Sequence, residues 1–269
     1  MPELPEVETI RWDLTKDVKG KRIRDVEILN AKVIKEPKPA QFKSRLKGVC
    51  FVDFLRRAKV LGIRLSSGEY LVVHLRMTGQ LVYSACKEEK ARVIFTLSDG
   101  KFLNFNDQRL FAELRLVKDW QDLKFLRQLG PEPLEKDFTE PRFRQMLKGK
   151  KTKIKPLLMD QGFIAGIGNL YAQEALFLAG ICPARAANAL KVQEIKKLYQ
   201  AIKQVLQEGI RYRGSSIDNY VNGRGKRGQY HLRLKVYGRD GEPCLTCKAR
   251  IKKIQLAGRG TCFCPRCQK

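Results

Sequence analysis

Four cysteines near the carboxyl end of the chain constrain its fold more than any other feature. Cys244 and Cys247 are separated by two residues, and Cys264 and Cys267 repeat this spacing further along. Each pair can present two thiolates to one metal ion, and four sulfur ligands complete a tetrahedral zinc site without an open position. The alternative, a chance grouping of cysteines in a basic tail, is disfavoured by the repeated spacing. We therefore predict a metal-dependent zinc finger with one structural zinc ion over residues 229–269.

The charge balance of the chain predicts a polyanionic partner. The 269 residues include 54 Lys and Arg against 28 Asp and Glu, which gives a formal net charge of +26. A solvated surface does not need this excess, whereas the phosphates of a nucleic acid bind Lys and Arg side chains directly. The chain has no apolar run of about 20 residues, no lipidation signal and no signal-peptide pattern. We expect an intracellular, monomeric protein that binds nucleic acid and not membranes.

The hydrophobic pattern divides the chain into parts. Apolar residues at helical spacing predict a first helix that ends near Gly20, and short β-rich runs predict an antiparallel sandwich or barrel as far as Val117. The segment 129–133 (LGPEP) interrupts regular structure, and a long amphipathic helix is predicted from Val192 to Ile210. The chain is therefore predicted to be an α+β multidomain protein. Its predicted domains span residues 1–130, 131–228 and 229–269.

The chain begins Met1-Pro2-Glu3, which allows two interpretations. If Met1 is removed, Pro2 exposes a secondary amine beside a carboxylate, and α-amino groups are partly neutral at physiological pH because they titrate near about 8. The adduct of such an amine with an aldehyde stays a cationic iminium. The alternative is an ordinary helix start, with Pro early and Glu in the first turn. These residues alone favour the helix start.

Several other positions are candidates for contact with phosphate. The segment 166–169 (GIGN) precedes an apolar helical stretch, where free backbone amides either bind an anion or form a simple cap. The lysine-rich segment 148–155 lies upstream of it. Arg259 stands between two glycines, where it either reaches a phosphate or is solvated. Lys59 lies in or beside a strand, and its local sequence favours an ordinary surface lysine.

Six motifs in order along the chain resemble those of the formamidopyrimidine-DNA glycosylase family. They are PELPEVET, RRAK around Lys59, LGPEPL, KPLLMDQGFIAGIGNLYAQEALF, VYGRDGEPC and GRGTCFCPRCQK, and together they cover essentially the whole chain. The resemblance implies an N-terminal antiparallel β-sandwich with a leading helix, a helix-two-turn-helix domain and a C-terminal zinc finger with four cysteine ligands. It also implies that DNA binds in the cleft between the domains, and that the protein is a bacterial-type, cytoplasmic and nucleoid-associated enzyme.

The same resemblance implies a bifunctional glycosylase and AP lyase for oxidised purines such as formamidopyrimidines and 8-oxoguanine. In the family, the amino-terminal proline attacks the anomeric carbon of a flipped nucleotide, which makes Pro2 the Schiff-base nucleophile and Glu3 its proton donor. Lys59 matches the proton donor for β-elimination, and Arg259 matches the one for δ-elimination. Glu6 lies in the same pocket in the family. With the resemblance, the catalytic interpretation of Pro2 replaces the helix start.

Contacts to double-stranded DNA are implied in the same way. Flipping a base costs a few kcal/mol and leaves a gap in the duplex that side chains must fill. Met77, Arg109 and Phe111 match the residues that fill this gap, although the local sequence alone would place Met77 and Phe111 in the core. The other positions that match DNA contacts of the family are Lys90, Lys150 and Asn169.

The chain departs from the family pattern at several positions. Gln108 and Ala112 replace a usual proline and glycine, and Arg76 stands where glycine is usual. A histidine is usual at the position of Lys90, and the loop over residues 215–229, which covers the lesion in the family, matches only in part. Two alternatives therefore remain open. One is an endonuclease VIII-like glycosylase for oxidised pyrimidines, and the other is a zinc-dependent DNA-binding protein without catalysis.

Overall fold

A computed structural model of the protein describes residues 1–269, which group into two compact units. The first unit consists of residues 1–127 and 210–231, and the second consists of residues 128–209 and 232–269. Contacts thus group 210–231 with the first unit, whereas the sequence pattern assigned most of this segment to the helical domain. The predicted domain boundaries stay a prediction. No helix is both long enough and apolar enough to cross a membrane.

The first unit begins with a helix and continues as a β-sandwich. Helix α1 buries Val7, Ile10 and Leu14 on one side, and Pro5 lies in its first turn, where a missing backbone N–H breaks no helical hydrogen bond. The elements of this unit are α1 (Leu4–Asp17), β1 (Ile23–Ile28), β2 (Ile34–Glu36), α2 (Pro39–Leu46), β3 (Phe51–Arg57), β4 (Val60–Leu65), β5 (Tyr70–His74), β6 (Gln80–Ser84), β7 (Ala91–Leu97), β8 (Phe102–Asn106), β9 (Glu113–Val117) and α3 (Lys124–Arg127).

Two sheets enclose the core of the first unit. The four-stranded sheet has the order β1-β7-β8-β6 and is antiparallel, and the five-stranded sheet has the order β2-β9-β5-β4-β3. Alternate residues of β7, namely Val93, Phe95 and Leu97, are fully buried, as expected where one face of a strand packs inward. These side chains and those of α1 belong to one continuous apolar cluster. The predicted sandwich with a leading helix is confirmed.

Two features of the sandwich differ from the prediction of antiparallel strands alone. Helix α2 interrupts the β-rich stretch because Pro39 suits a first helical turn, and Phe42 and Leu46, four residues apart, are both buried on one face. Strand β2 pairs with β9 in parallel, whereas all other pairs of this sheet are antiparallel.

The second unit is helical and ends in a two-stranded hairpin, in agreement with the predicted helical domain and zinc finger. The long helix buries Leu198, Ile202 and Val205 along its predicted apolar face. The preceding helix ends at Gly180, whose φ of 73° is a left-handed conformation that glycine adopts readily. The elements that begin in this unit are α4 (Glu140–Leu147), α5 (Ile154–Met159), α6 (Asn169–Ala179), α7 (Val192–Arg211), β10 (Lys252–Leu256) and β11 (Arg259–Phe263).

Candidate active site and zinc centre

The residues at the amino terminus are buried, although the first of them is not. Met1 is 47% exposed, whereas Pro2 is buried and the carboxylates of Glu3 and Glu6 are almost inaccessible. Because Met1 is joined to Pro2 through an amide bond, the Pro2 nitrogen has no available lone pair until Met1 is removed. Removal of Met1 would turn this nitrogen into the secondary amine of an amino-terminal proline, with Glu3 as the next residue in the chain.

Glu6 connects this terminus to the loop that follows α7. One carboxylate oxygen of Glu6 accepts a hydrogen bond from the backbone amide of Glu3 at 2.9 Å, and the other accepts one from the backbone amide of Ser215 at 2.9 Å. The hydroxyl of Tyr220 also lies 3.4 Å from the Glu6 carbonyl oxygen. Burial, reinforced by the negative charge of Glu6, raises the pKa of Tyr220 well above its usual value. Tyr220 is therefore a neutral donor that holds the loop against α1.

The loop over residues 215–229 has an internal hydrogen-bond framework. The Ser216 hydroxyl donates to the carbonyl of Tyr220 at 2.7 Å and accepts from the amide of Gly228 at 2.8 Å. Arg227 donates to the carbonyl of Ser216 at 2.6 Å. At Gly214, φ is 84° and an added Cβ would lie only 2.5 Å from the Tyr220 ring, so this position requires glycine. The framework fixes the conformation of the loop, and the contacts of Ser215 and Tyr220 with Glu6 join the loop to the amino terminus within the first unit.

Lys59 is buried in the turn between β3 and β4, with only 8% of its surface exposed. The interpretation as a surface lysine is therefore wrong, and both strands of the turn contact α1. Arg56 supports the turn by donating to the Ala58 carbonyl at 3.1 Å and to the Glu8 carboxylate of α1 at 2.7 Å. Burial acts to raise the pKa of Glu8, but pairing with Arg11 and Arg56 holds it below its usual value.

The turn that carries Met77 and the loop that carries Arg109 meet at one carboxylate. Asp107 accepts hydrogen bonds from the Thr78 hydroxyl at 2.5 Å, from the Arg109 amide at 3.2 Å and from the Ala112 amide at 2.7 Å. Met77 is adjacent to Thr78 in the chain and is half-buried. The structure therefore brings these two predicted gap-filling segments together.

Phe111 is not a core residue. Its side chain is 52% exposed, and the Arg109 guanidinium lies 4.7 Å from the centre of its ring. The local sequence interpretation of Phe111 as core is therefore wrong. An exposed aromatic ring stacked under an arginine at a loop tip can contact a flat partner such as a base.

Arg76 stands at a position where the family resemblance predicts glycine, and its backbone is left-handed, with a φ of 51°. Its guanidinium pairs with Glu113 at 2.7 Å, and Glu113 also pairs with Arg115 at 3.0 Å. The backbone amide of Arg76 donates to Nδ1 of His74 at 3.1 Å. Burial, together with the positive charge of Arg76, lowers the pKa of His74 to about 4. His74 is therefore a neutral acceptor that supports the turn next to Met77.

Lys90 and Lys150 are exposed lysines that form no ion pair. Lys90 lies in the connection between β6 and β7, and it makes no hydrogen bond to the other predicted site residues of the first unit. Lys150 lies in the connection between α4 and α5 of the second unit. The backbone carbonyl of Lys150 accepts a hydrogen bond from the amide of Asn188 at 2.9 Å. The backbone is therefore fixed at this point, while the Lys150 side chain is exposed to solvent.

Asn169 is the first residue of α6 and joins a buried polar network. Its Oδ1 accepts from Nζ of Lys155 at 2.6 Å and from Nε2 of Gln173 at 3.1 Å. Its Nδ2 lies 3.4 Å from the carbonyl oxygen of Gly260. Gly260 directly follows Arg259, whose side chain is exposed at the start of β11. Within the second unit, the structure thus connects the predicted DNA contact Asn169 to the hairpin that carries Arg259.

The four predicted cysteine ligands form one cluster. Their sulfur atoms all lie within 4.8 Å of one another, with 3.9 Å between Cys244 and Cys267 and 3.4 Å between Cys247 and Cys264. A tetrahedral ion with Zn–S bonds of about 2.3 Å requires sulfur atoms roughly 3.8 Å apart, so the cluster fits one zinc ion. Cys262 is buried nearby but does not belong to the cluster. The cysteines bind a single structural zinc ion, as predicted.

Models of known protein families match all three parts of the chain. The formamidopyrimidine-DNA glycosylase N-terminal domain matches residues 1–114, and the H2TH domain of the same glycosylase matches residues 129–221. The zinc finger found in FPG and IleRS matches residues 241–269. The chain belongs to the formamidopyrimidine-DNA glycosylase family.

Individual glycosylases of this family match over the full length. The formamidopyrimidine-DNA glycosylase of Pelotomaculum thermopropionicum is 47% identical, with 100% of this chain and 99% of the relative covered. That of Desulfitobacterium hafniense is 44% identical, with 100% of both chains covered. A Lactococcus lactis FPG variant in complex with a Fapy-dG containing DNA has a TM-score of 0.92 at 37% identity and full coverage of both chains. MutM in complex with carbocyclic 8-oxo-G containing DNA has a TM-score of 0.89 at 37% identity, again with full coverage.

Several residues that shape the site of this family member have no signal in the sequence alone. Asp107 and Thr78 join two loops that are distant in the chain, and Tyr220 joins a third segment to α1. Gln173 contacts the zinc hairpin from the middle of α6. Each acts through a contact between distant segments, which hydrophobic periodicity does not report.

Proposed function

We propose that the protein is a base-excision-repair DNA glycosylase and AP lyase that removes oxidised purines from double-stranded DNA. The observation that carries the proposal is the buried Pro2-Glu3 terminus, held by Glu6 against Ser215, in a chain that matches the glycosylase family over its full length. The charge of +26 supports a DNA partner. Action on chromosomal DNA would place the enzyme at the nucleoid of a bacterial cytoplasm.

In the proposed first step, the trimmed Pro2 amine attacks the anomeric carbon of a flipped nucleotide. A bond forms between the Pro2 nitrogen and C1′ while the glycosidic bond breaks and its electron pair leaves with the base. The Pro2 nitrogen loses its proton, and the departing base takes one up. The C1′–O4′ bond then opens, and Glu3 delivers a proton to O4′. The product is an iminium between Pro2 and C1′, which stays cationic because the proline nitrogen has no further proton to lose.

Two eliminations follow from that iminium. A base removes a proton from C2′, a C2′–C3′ double bond forms and the C3′–O3′ bond breaks. The 3′ phosphate leaves, and Lys59 is the proposed donor of a proton to its departing oxygen. Loss of a proton from C4′ extends the conjugation and breaks the C5′–O5′ bond, with Arg259 as the proposed donor. Water then hydrolyses the iminium and regenerates the Pro2 amine. The strand is cut on both sides of the lesion.

The exposed loops of the first unit supply the proposed DNA contacts near the lesion. Met77, Arg109 and Phe111 fill the space left by the flipped base, and the shared anchor at Asp107 supports the idea that they act as one wedge. In the second unit, Lys150 and Asn169 contact the DNA backbone. Lys90 is the remaining proposed contact.

Borohydride trapping on a duplex with one abasic site tests the nucleophile. Borohydride reduces an iminium to a stable amine, so the protein with Met1 removed should become covalently attached to the DNA. Pro2→Gly should lose most of the adduct, and the protein that retains Met1 should form none. Pro39→Gly, which removes a proline from the exposed start of α2, is the matched control and should trap normally. Undiminished trapping by Pro2→Gly without Met1 would reject Pro2 as the nucleophile.

Excision assays separate the proposed substrate class from the oxidised-pyrimidine alternative. Gln108 and Ala112, which depart from the usual sequence of the family, lie in the loop of Arg109. They therefore act on the part of the site that is proposed to face the orphaned base. We expect 8-oxoguanine opposite cytosine to be excised faster than thymine glycol. A preference for thymine glycol would favour the endonuclease VIII-like function, and DNA binding without excision or trapping would favour the non-catalytic one.

A further inference from the structure

Gln173 bridges helix α6 and the outer edge of the zinc hairpin. Its side chain is only 2% exposed, and its Oε1 accepts a hydrogen bond from the backbone amide of Cys262 at 2.7 Å. Its Nε2 lies 3.3 Å from the carbonyl oxygen of Gly260, and it also donates to the backbone carbonyl of Asn169 at 2.9 Å. One side-chain amide therefore joins two backbone groups of β11 to the first residue of α6.

The chemistry of this bridge requires an amide. Strand β11 pairs only with β10, so the backbone groups along its other edge have no strand partner. The carbonyl of Gly260 and the amide of Cys262, two residues apart, lie on that edge and are satisfied by the donor and the acceptor of Gln173. A carboxylate at this position could accept from Cys262 but would repel the Gly260 carbonyl. An apolar side chain would satisfy neither group.

The base of the finger is anchored separately. The carboxylate of Glu174 accepts hydrogen bonds from the backbone amides of Lys235, Val236 and Tyr237 at 2.8, 3.0 and 2.9 Å. The cysteine cluster closes the other end of the module. Loss of the Gln173 bridge would leave the Gly260 carbonyl with only the 3.4 Å contact to Nδ2 of Asn169, and would therefore loosen β11 next to Arg259 without releasing the finger.

We propose that Gln173 is a positioning residue that aims Arg259 during the second elimination. Arg259 directly precedes Gly260, so the hydrogen bonds to Gly260 and Cys262 fix the strand from which the guanidinium projects. The inference rests on the proposed function, in which Arg259 is the proton donor for δ-elimination. Gln173 does not take part in the attack by Pro2 or in β-elimination. Its loss should therefore uncouple the two eliminations and leave the first one intact.

The ratio of cleavage products tests this inference. An abasic duplex labelled at the 5′ side yields an unsaturated aldehyde end after β-elimination alone, and a 3′-phosphate end after both eliminations. For Gln173→Met in the full-length protein with Met1 removed, we expect the share of aldehyde ends to rise roughly tenfold, because two or more hydrogen bonds that fix the tip are lost. Zinc content should equal that of wild type, and so should borohydride trapping at saturating protein, which compensates for any weaker DNA contact by Asn169, the other partner of Gln173.

Further variants keep the inference falsifiable if Gln173→Met folds poorly. Gln173→Glu replaces one nitrogen by oxygen and should raise the aldehyde share in the same direction. Gln200→Met removes an exposed glutamine from α7 and should change nothing. In the double variant with Arg259→Gln, the Gln173 change should add no further effect on the ratio.

Different outcomes separate the inference from the function on which it rests. A wild-type product ratio in both Gln173 variants, with aldehyde ends accumulating in Arg259→Gln, would overturn the positioning role and leave the proposed function intact. A wild-type ratio in Arg259→Gln would reject the role of Arg259, and the inference about Gln173 with it. Loss of trapping in the Gln173 variants at full zinc content would show that Gln173 acts before the eliminations, which also overturns the inference.

Discussion

Glu6 accepts a hydrogen bond from the backbone amide of Ser215 at 2.9 Å, although 209 residues separate them in the chain. The other carboxylate oxygen of Glu6 accepts from the amide of Glu3, the residue after the proposed nucleophile. One buried side chain thus holds both the amino terminus and the start of the 215–229 loop. This arrangement makes Glu6 an anchor between the proposed site of attack and the loop proposed to cover the lesion.

Replacing Glu6 by Gln should destabilise the protein and weaken trapping. A glutamine has only one carbonyl oxygen for two backbone donors, so one buried N–H would face an NH2 group, at a cost of about 1–3 kcal/mol in the free energy of unfolding. Urea denaturation would measure this cost, and borohydride trapping would report the misplaced Pro2. Glu27→Gln removes a partly exposed pair with Lys87 and should cost less than about 1 kcal/mol. Equal stability of the two variants would contradict the anchor role of Glu6.

Arg76 provides a test of backbone strain in the turn next to Met77. Both Arg76→Gly and Arg76→Ala remove the ion pair with Glu113, so their difference isolates the backbone at φ of 51°. We expect the Gly variant to be more stable than the Ala variant by about 1 kcal/mol, because a left-handed conformation is costly for any residue with a Cβ. Thermal unfolding of the two proteins measures this difference. Equal stability would mean that the turn relaxes away from its left-handed form.

Most helices and strands of the fold could be predicted because the sequence patterns that mark them are local. The observed β4 matches the predicted run from Val60 to Leu65, and the observed α7 begins at the predicted Val192. The cysteine spacing predicted the zinc cluster because each pair of cysteines, separated by two residues, places two ligands side by side. Helix α2 and the parallel pairing of β2 were not predicted. Helix α2 is short and lies among strands, and a parallel pair depends on a distant partner rather than on the three residues of β2.

The candidate site could be predicted only where a motif marks it. Local sequence favoured a helix start at Pro2 and a surface position for Lys59, and only the family resemblance pointed to catalysis at both. Lys59 is buried in a turn whose two strands contact α1, and contacts between such distant segments are not reported by a local pattern. The exposure of Phe111 is not reported by a local pattern either, and Asp107 holds the loop on both sides of it through the amides of Arg109 and Ala112.

Removal of zinc should unfold the finger and leave the first unit folded. The finger module has about 40 residues, too few for burial alone to stabilise it, so its folding free energy comes largely from the metal. Chelation, or Cys247→Ser, should abolish bound zinc and sharply reduce DNA binding. Zinc analysis and hydrogen exchange measure both effects, with Cys182→Ser, outside the cluster, as the control. Protected β10 and β11 amides after complete zinc loss would contradict this prediction.

His74 should make stability fall at mildly acidic pH. Burial lowers its pKa from 6.5 to about 4, so between these values the unfolded chain binds a proton that the folded protein does not. The contribution of neutral His74 is complete above about pH 6.5 and is lost progressively as the pH falls towards 4. His74→Asn retains an acceptor for the Arg76 amide but does not titrate. Urea unfolding should therefore show the stability of wild type, relative to His74→Asn, decreasing across this interval, and parallel pH profiles would contradict the assignment.

Phe111 should affect catalysis without affecting stability, because its ring is half-exposed beside the Arg109 guanidinium. Phe111→Ala removes few packed contacts, so the free energy of unfolding should change by no more than about 0.5 kcal/mol. If the ring stacks in the gap left by the flipped base, its loss should slow excision of 8-oxoguanine by about tenfold, since one stacking contact contributes roughly 1–3 kcal/mol. Leu29→Ala, which truncates another exposed apolar side chain, is the matched control and should leave both quantities unchanged. Single-turnover excision and thermal unfolding measure the two effects, and wild-type excision by Phe111→Ala would remove Phe111 from the proposed wedge.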